Sequence, residues 1–371
     1  MTDKLIRLSK SCLSEAEKNA VMGVLDREFL GMGTEVRQFE EMLTDFFGRP
    51  AVCVSTGTAA LHLALQAADI GAGDEVLVQT LTYIASFQAI SATGATPVAC
   101  DVDTDTLCLD WRDAEKRLTS KTKAIMPVHY AGGVGELDEI YAFAKKNSLR
   151  VIEDASHAFG TTYKGKKVGG FGDISCFSFD GIKNITSGEG GCVVTDDEKV
   201  LQNVRDARLL GVEKDTEKRF SGERSWDFDV TAQGWRYHMS NIMAAIGIEQ
   251  LKRFSNNAIK RQKIALLYDS YFKDIDVEII HHNYKNVVPH IYVLQLPDGV
   301  DRFLIRDKLR IDGIETGVHF KNNHHLSLYN SAAQRIDKAE KIFETLLSIP
   351  LHPDITEQNV WKVIDSIRRL L

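Results

Sequence analysis

The sequence lacks several features that would place it in particular protein classes. Its 371 residues include no apolar run long enough to cross a bilayer, and the N-terminal segment has no apolar core followed by a small-residue cleavage site. The formal net charge is −7, without a block of lysines and arginines. Nucleic acids are bound through clustered positive charge, so we expect no nucleic-acid partner. These absences predict a cytoplasmic protein that does not bind or enter a membrane.

Cysteine is scarce, and no two cysteines form a C-x-x-C pair. The six cysteines are Cys12, Cys53, Cys100, Cys108, Cys176 and Cys192. This scatter is typical of reduced, mostly buried thiols rather than of a disulfide framework or a zinc site. The adjacent histidines His324 and His325 follow two asparagines, but the sequence gives them no acidic or thiolate companion at ligand spacing. We therefore predict no metal site.

Short apolar runs rich in Val and Ile alternate with segments of helical period from Ala51 to Thr195. Strands that are apolar on both faces and alternate with helices form a mostly parallel sheet covered on both sides. The sequence therefore predicts an α/β protein. We expect a large α/β domain over residues 1–254 and a smaller α+β domain over residues 255–371.

The chain begins with a predicted helix. Ser14 is followed three residues later by Glu17, which is the pattern of a capping box. Val21, Leu25 and Phe29 then recur at helical spacing and predict an apolar face.

The segment Ser55-Thr56-Gly57-Thr58 lies between a predicted strand and a predicted helix. Free N–H groups at a helix N-terminus form an anion site, and Gly57 would let the backbone approach a phosphate. The alternative is an ordinary strand-to-helix turn in which Thr56 or Thr58 caps the helix.

Three polar residues lie near the ends of two successive strands. Asp154 ends the strand in "RVIEDA", Ser178 ends the next strand, and Lys183 follows in "SFDGIKNITSGEGG". The carboxyl ends of strands are where open α/β sheets bind ligands. A lysine among apolar walls has a lowered pKa and becomes a nucleophile and base. Alternatively, Asp154 caps the next segment and Lys183 is a solvated loop residue.

Together with Tyr83 in "TLTYIAS", these features are the parts needed to hold pyridoxal 5′-phosphate. The helix terminus would bind the phosphate, and Asp154 would keep the pyridine nitrogen protonated. Tyr83 would cover a ring face, and Lys183 would bond to the aldehyde carbon.

Four motifs carry a resemblance to a known family: "GTAALHLAL", "EDASHAFG", "SFDGIKNITSGEGG" and "YHMSNIMAAIGIEQL". With these motifs in this order, the sequence resembles the DegT/DnrJ/StrS family of sugar aminotransferases over nearly its whole length. The resemblance implies the fold-type I, aspartate-aminotransferase architecture, with a mostly parallel seven-stranded sheet in the large domain. It also implies a homodimer whose active sites are shared between subunits.

The resemblance implies roles for individual residues. Lys183 would be bonded to the cofactor, Asp154 would pair with the pyridinium, and Gly57, Thr58 and Ser178 would bind the phosphate. His157 stands where the family often has Gln beside the cofactor's phenolic oxygen, and an imidazole can make the same hydrogen bond.

The sequence departs from the family in "GWRYHM", where "GYNYRM" is common. Arg236 occupies the place of an asparagine that usually reaches the partner's cofactor phosphate, so it would bind either that phosphate or a substrate carboxylate. His238 and His319 are further candidate substrate contacts, and His319 could equally be a structural histidine.

The resemblance implies transfer of the amino group of L-glutamate to a carbonyl sugar. Within the family, the sequence most resembles the branch that forms 8-amino-3,8-dideoxy-manno-octulosonate (8-amino-Kdo), a lipopolysaccharide sugar. The alternative acceptors are nucleotide-linked 4-keto-6-deoxy sugars. A dehydratase on this scaffold is disfavoured because that branch replaces the lysine with histidine, and a non-catalytic sensor would not need the amine of Lys183.

Overall fold

The computed structural model describes residues 5–224, 226–330 and 335–371. A seven-stranded sheet lies at the centre of the large α/β unit, with a small hairpin beside it. The strands up to residue 194 are β1 (Ala51–Val54), β2 (Glu75–Gln79), β3 (Thr96–Cys100), β4 (Thr122–Met126), β5 (Arg150–Asp154), β6 (Thr162–Tyr163), β7 (Lys166–Lys167), β8 (Ile174–Ser178) and β9 (Gly191–Val194). Strands β6 and β7 form the hairpin.

The large sheet has the strand order β1-β9-β8-β5-β4-β2-β3. Strands β3, β2, β4, β5 and β8 are parallel to one another, whereas β9 is antiparallel to both β8 and β1. Every residue of β1, β8 and β9 is buried, as expected for strands covered on both faces. The predicted α/β fold with a mostly parallel seven-stranded sheet is confirmed.

Helices cover both faces of this sheet. Up to residue 272 they are α1 (Glu15–Asp26), α2 (Thr34–Phe47), α3 (Gly57–Ala67), α4 (Ala85–Ala92), α5 (Trp111–Lys116), α6 (Leu137–Lys146), α7 (Glu198–Ala207), α8 (Asp215–Phe220) and α9 (Asn241–Phe272). Alternate residues of β1 pack in different hydrophobic cores. Val52 and Val54 pack with α3, α4 and α7, whereas Cys53 packs with α2 and α9. This follows from the two-residue period of a strand.

The C-terminal part has its own core around a three-stranded antiparallel sheet. Its elements are β10 (Glu278–Ile279), β11 (Tyr292–Gln295), α10 (Arg302–Ile311), α11 (Asp337–Thr345), β12 (Leu346–Ile349) and α12 (Glu357–Arg368). Helix α9 runs unbroken through Phe254, so the predicted boundary falls inside a helix. Ile6 pairs with Ile314 and joins the C-terminal core. The division at residue 254 stays a prediction.

The opening helix confirms one expectation and corrects another. Ser14 and Glu17 form the predicted capping box at the start of α1. The helical spacing extends too far, because α1 ends at Asp26, before Phe29, and both Leu25 and Phe29 are exposed. The buried residues of α1 are Glu17 and Val24, and Glu17 Oε1 accepts a 2.7 Å hydrogen bond from Gln250 of α9.

All six cysteines are free and buried, as the sequence predicts. Over the described ranges, no helix is both long and apolar enough to cross a membrane.

Candidate active site

A cavity of about 480 Å³ opens at the carboxyl ends of β1, β2, β5 and β8. Most of the residues proposed from the sequence lie on its walls. They are Gly57, Thr58, Tyr83, Asp154, His157, Ser178, Lys183 and His319. Further walls come from residues that the sequence reasoning missed, chiefly His290, Phe320 and Asp180.

The N-terminus of α3 forms one end of the cavity. Thr56 caps the helix, with its Oγ1 accepting a hydrogen bond from the Ala59 N–H at 3.0 Å. The first hydrogen bond within the helix runs from the Ala60 N–H to the Thr56 carbonyl, at 3.1 Å. The N–H groups of Gly57 and Thr58 therefore lie in the first turn, where they can donate to an anion. Thr56 can therefore cap the helix while the first turn binds a phosphate, so the two interpretations of this segment are compatible.

Gly57 and Ser178 are in close contact across this end of the cavity. A Cβ atom on Gly57 would lie 2.7 Å from the Ser178 Cβ and 3.0 Å from its Oγ. Only glycine permits this approach, which brings the Ser178 hydroxyl beside the start of α3. The hydroxyl and the helix N–H groups can thus serve one anion together.

The carboxylate of Asp154 is fixed at the end of β5. Asp154 is 5% exposed. Its Oδ2 accepts from the Ser86 hydroxyl at 2.8 Å, and its Oδ1 accepts from the Ser156 N–H at 3.2 Å. Ser86 itself lies 3.0 Å from the Thr82 hydroxyl. This carboxylate can hold a protonated ring nitrogen in one orientation. Sequence reasoning missed Ser86, because its contact with Asp154 spans 68 residues.

The amine of Lys183 lies in the same cavity, 3.5 Å from Nε2 of His290. Burial lowers the pKa of Lys183 to about 8, although the charges of Asp154 and Asp180 act in the opposite direction. A substantial fraction of the amine is therefore neutral and nucleophilic near neutral pH.

Three imidazoles surround this amine, of which those of His157 and His290 are buried and that of His319 is partly buried. The rings of His157 and His290 are 4.4 Å apart, and Nδ1 of His319 lies 2.7 Å from the Ser348 hydroxyl. Burial, followed by the nearby Lys183, lowers the pKa of all three histidines, that of His319 to about 4. In the part of the chain that the structure describes, Nδ1 of His157 and Nδ1 of His290 have no hydrogen-bond partner. Such buried nitrogens can be satisfied by a bound ligand.

Aromatic rings form the rim of the cavity. Tyr83 is 60% exposed, and its ring lies 5.7 Å from that of Phe320. Phe320 in turn lies 5.8 Å from the ring of His157. These faces give a planar ligand an apolar wall that can still be approached from solvent.

Arg236 and His238 do not line the cavity of their own chain. Arg236 is exposed, and within the described residues its side chain forms no hydrogen bond or ion pair. Burial, together with the charges of nearby arginines, lowers the pKa of His238 to about 4. Their substrate and cofactor roles stay predictions.

The sequence gives His324 and His325 no acidic companion at ligand spacing, but the fold supplies one. Glu340 of α11 lies beside both imidazoles. It is 16 residues from His324 in sequence, so a search at ligand spacing could not find it.

The cavity fits pyridoxal 5′-phosphate group by group. The first turn of α3 and Ser178 match the phosphate, and the fixed carboxylate of Asp154 matches the ring nitrogen. The amine of Lys183, whose pKa is lowered to about 8, matches the aldehyde carbon. Gly57 supports this fit, because a larger residue there would close the space beside Ser178.

Comparison with known proteins gives the same result. The DegT/DnrJ/EryC1/StrS aminotransferase family matches residues 11–368. The spore coat polysaccharide biosynthesis protein SpsC of Bacillus subtilis is 36% identical, over 97% of this chain and 95% of that protein.

Two solved structures are each 30% identical to this chain. A putative sugar aminotransferase of Streptococcus pneumoniae, Spr1654, has a TM-score of 0.92 over 99% of this chain and 97% of its own. The PseC aminotransferase of Helicobacter pylori, involved in pseudoaminic acid biosynthesis, has a TM-score of 0.91 over 99% of both chains. The chain therefore belongs to the DegT/DnrJ/EryC1/StrS aminotransferase family and is a sugar aminotransferase that depends on pyridoxal 5′-phosphate.

Proposed function

We propose that this enzyme moves the amino group of L-glutamate to a carbonyl sugar. One observation carries the proposal: Lys183, Asp154 and the N-terminus of α3 line the same cavity. An amine, a fixed carboxylate and an anion site in one cavity are what an amino-group exchange on this cofactor needs. A sensor protein would need the binding groups but not the amine.

In the proposed mechanism, the cofactor when bound would supply an electron sink for the reacting carbon of the amino donor. Asp154 would hold the proton on the ring nitrogen, and its hydrogen bonds from Ser86 and Ser156 keep the carboxylate in one orientation. The first turn of α3 and Ser178 would bind the phosphate and so set the position of the ring. His157 would hydrogen-bond the phenolic oxygen through a ring N–H, which the neutral imidazole that burial favours still carries.

Lys183 is the proposed base. Its Nζ would accept the proton from the α-carbon of glutamate and donate it to the former aldehyde carbon of the cofactor, two atoms further along. The sugar half-reaction uses the same proton transfer in reverse. A pKa of about 8 suits both directions, because neither protonation state of the amine is rare near neutral pH.

We further propose that the acceptor is an acidic sugar with an aldehyde at C8, so that the product is 8-amino-Kdo. Arg236 supports this assignment, because it is an exposed cation without a partner in the described residues, and a guanidinium binds carboxylate in two-point fashion. His238 and His319 are the other proposed substrate contacts. The alternative acceptor, a nucleotide-linked 4-keto-6-deoxy sugar, would present a diphosphate instead. Turnover with each acceptor, in wild type and in Arg236→Asn, distinguishes them. The 8-amino-Kdo assignment requires that the wild type prefers the acidic sugar, and that Arg236→Asn lowers turnover of the acidic sugar more than turnover of the nucleotide-linked sugar.

A homodimer with shared active sites is also part of the proposal. Apolar side chains are exposed on α1 and just after it, namely Met22, Leu25, Phe29 and Leu30. The segment that carries Arg236 exposes Trp226, which is 87% accessible, and Phe228. A second copy covering these surfaces would remove them from water and could receive Arg236 at its own cavity. A cytoplasmic location stays a prediction; the six free, buried cysteines support it.

The half-reaction with L-glutamate alone tests the proposed donor. Addition of glutamate to the holoenzyme should replace the visible band of the lysine-bound cofactor with the shorter-wavelength band of its amine form, with release of 2-oxoglutarate. Lys183→Ala should still bind the cofactor but release no 2-oxoglutarate. A visible band that glutamate leaves unchanged would refute glutamate as the donor. Turnover by Lys183→Ala would refute Lys183 as the base.

A further inference from the structure

A second group of chemically competent side chains lies outside the active-site cavity. Nε2 of His324 is 3.1 Å from Oε1 of Glu340, and Nε2 of His325 is 3.7 Å from the same oxygen. One ligand atom from each residue can be chosen so that all three lie within 4.8 Å of one another. Ligands that share a tetrahedral zinc ion are about 3.3 Å apart, given bond lengths of about 2.0–2.1 Å. Small side-chain rotations would therefore bring the three atoms around one ion.

The environment of His324 favours ligation through its Nε2. Its Nδ1 lies 2.7 Å from the hydroxyl of Thr80. The same hydroxyl accepts the backbone N–H of His324 at 3.3 Å. When Nδ1 donates its proton to this oxygen, the lone pair of the ring lies on Nε2, on the side of Glu340. Metal-bound histidines are held in this way, with the second ring nitrogen donating to a fixed acceptor.

The two elements that carry the ligands are fastened to each other. Asn322 donates from Nδ2 to the Ala339 carbonyl at 2.8 Å, directly before Glu340 in α11. Asn323 donates to the carbonyls of Thr80 and Thr82, at 3.0 Å and 2.7 Å. Both asparagines are buried. Ligand positions that are fixed before an ion binds reduce the entropy lost on binding.

The site is also open to solvent. His324 is 5% exposed, whereas the side chains of His325 and Glu340 are each 45% exposed. An ion can therefore enter from solvent and keep water at its remaining coordination position. Two imidazoles and a carboxylate match zinc and its neighbours in the transition series, whereas magnesium and calcium prefer all-oxygen sites.

We propose that His324, His325 and Glu340 bind one divalent transition-metal ion, for which zinc is the probe of choice. The ion joins α11 to the segment 322–325, which begins two residues after Phe320 of the active-site rim. Through Asn323, the same segment holds the backbone of Thr80 and Thr82 immediately before Tyr83. The ion is thus structural and braces the wall of the cavity from outside.

The test is a zinc titration of the holoenzyme after treatment with a chelator and desalting, with a chromophoric zinc indicator as competitor. The wild type should bind one ion per chain. His325→Ala and Glu340→Gln should each weaken that binding by at least about tenfold, and neither needs to alter folding because both side chains are half exposed. Thr80→Val should weaken it by about 10- to 100-fold, as loss of the outer hydrogen bond to a ligand does.

Two matched variants control for adventitious binding. His281→Ala removes an exposed histidine elsewhere, and Glu344→Gln removes an exposed carboxylate one turn further along α11. Both should bind zinc as the wild type does. The proposal is overturned if the wild type binds no zinc in competition with the indicator, or if His325→Ala and Glu340→Gln bind it as tightly as the two controls.

Discussion

Changing the pH should titrate Lys183 far below the range of an ordinary lysine. Burial places the pKa of this amine at about 8, against 10.5 for a free side chain. In the cofactor-free enzyme, the neutral fraction should rise from about 9% at pH 7 to about 91% at pH 9, a roughly tenfold gain that then levels off. A lysine with the free value would gain about 100-fold over the same interval and continue to rise.

Competitive labelling with trace acetic anhydride measures this titration directly, because the reagent acylates only neutral amines. Peptide mass spectrometry then gives the extent of modification at Lys183, with the exposed Lys263 in the same digest as the internal reference. The labelling curve of Lys183 should have its midpoint near pH 8 and a plateau above pH 9.

Asp180→Asn tests the electrostatic part of the argument. The charge of Asp180 raises the pKa of Lys183 against the effect of burial, so its removal should move the labelling midpoint below that of the wild type. The substitution keeps an oxygen that can accept the Ile182 N–H, as Asp180 does at 3.3 Å. A midpoint near 10.5 in the wild type, or an upward shift in the variant, would refute this account of the site.

Three further substitutions test other parts of the structure. Gly57→Ala should weaken cofactor binding by roughly 5- to 150-fold in a fluorescence titration, because the new Cβ would lie 2.7 Å from Ser178. An unchanged affinity for the cofactor would contradict the proposed phosphate site. Glu40→Ala should destabilise the fold by about 3–5 kcal/mol, because the fully buried Arg208 loses its ion-pair partner. The loss would be measured as a fall in Tm, and an unchanged Tm would show that the ion pair is not needed for stability. His290→Phe should lower kcat by about 10- to 150-fold, because it removes the hydrogen bond to Lys183. His290→Gln should lower kcat by less, because its amide can replace that bond. Equal losses in kcat would assign His290 a packing role.

The sheet and the strand-end residues could be predicted because their signals are local. Asp154 and Ser178 each end a strand, and the register of parallel neighbours brings such ends to one edge. Gly57 follows a strand and begins a helix, so its role can be read from a few consecutive residues. In these short segments, the same few residues set both the local structure and the chemistry of the site.

The remaining site residues depend on contacts between distant parts of the chain. His290 reaches Lys183 across 107 positions, and nothing near it in sequence distinguishes it from a structural histidine. The partnership of Glu340 with His324 crosses from a loop to a helix, so it appears only once the fold is known. The exposure of Leu25 could not be predicted for a related reason: helical spacing identifies an apolar stripe but not whether this chain covers it.

Transfer of labelled nitrogen tests the central claim most directly. Wild-type enzyme and Lys183→Ala would be incubated with L-[15N]glutamate and a carbonyl sugar, the C8 aldehyde of the acidic octulosonate first and a nucleotide-linked 4-keto sugar second. The account predicts a 15N-labelled amino sugar, formed in equal amount with 2-oxoglutarate by the wild type alone. Absence of label from both sugars, or equal labelling by Lys183→Ala, would contradict it.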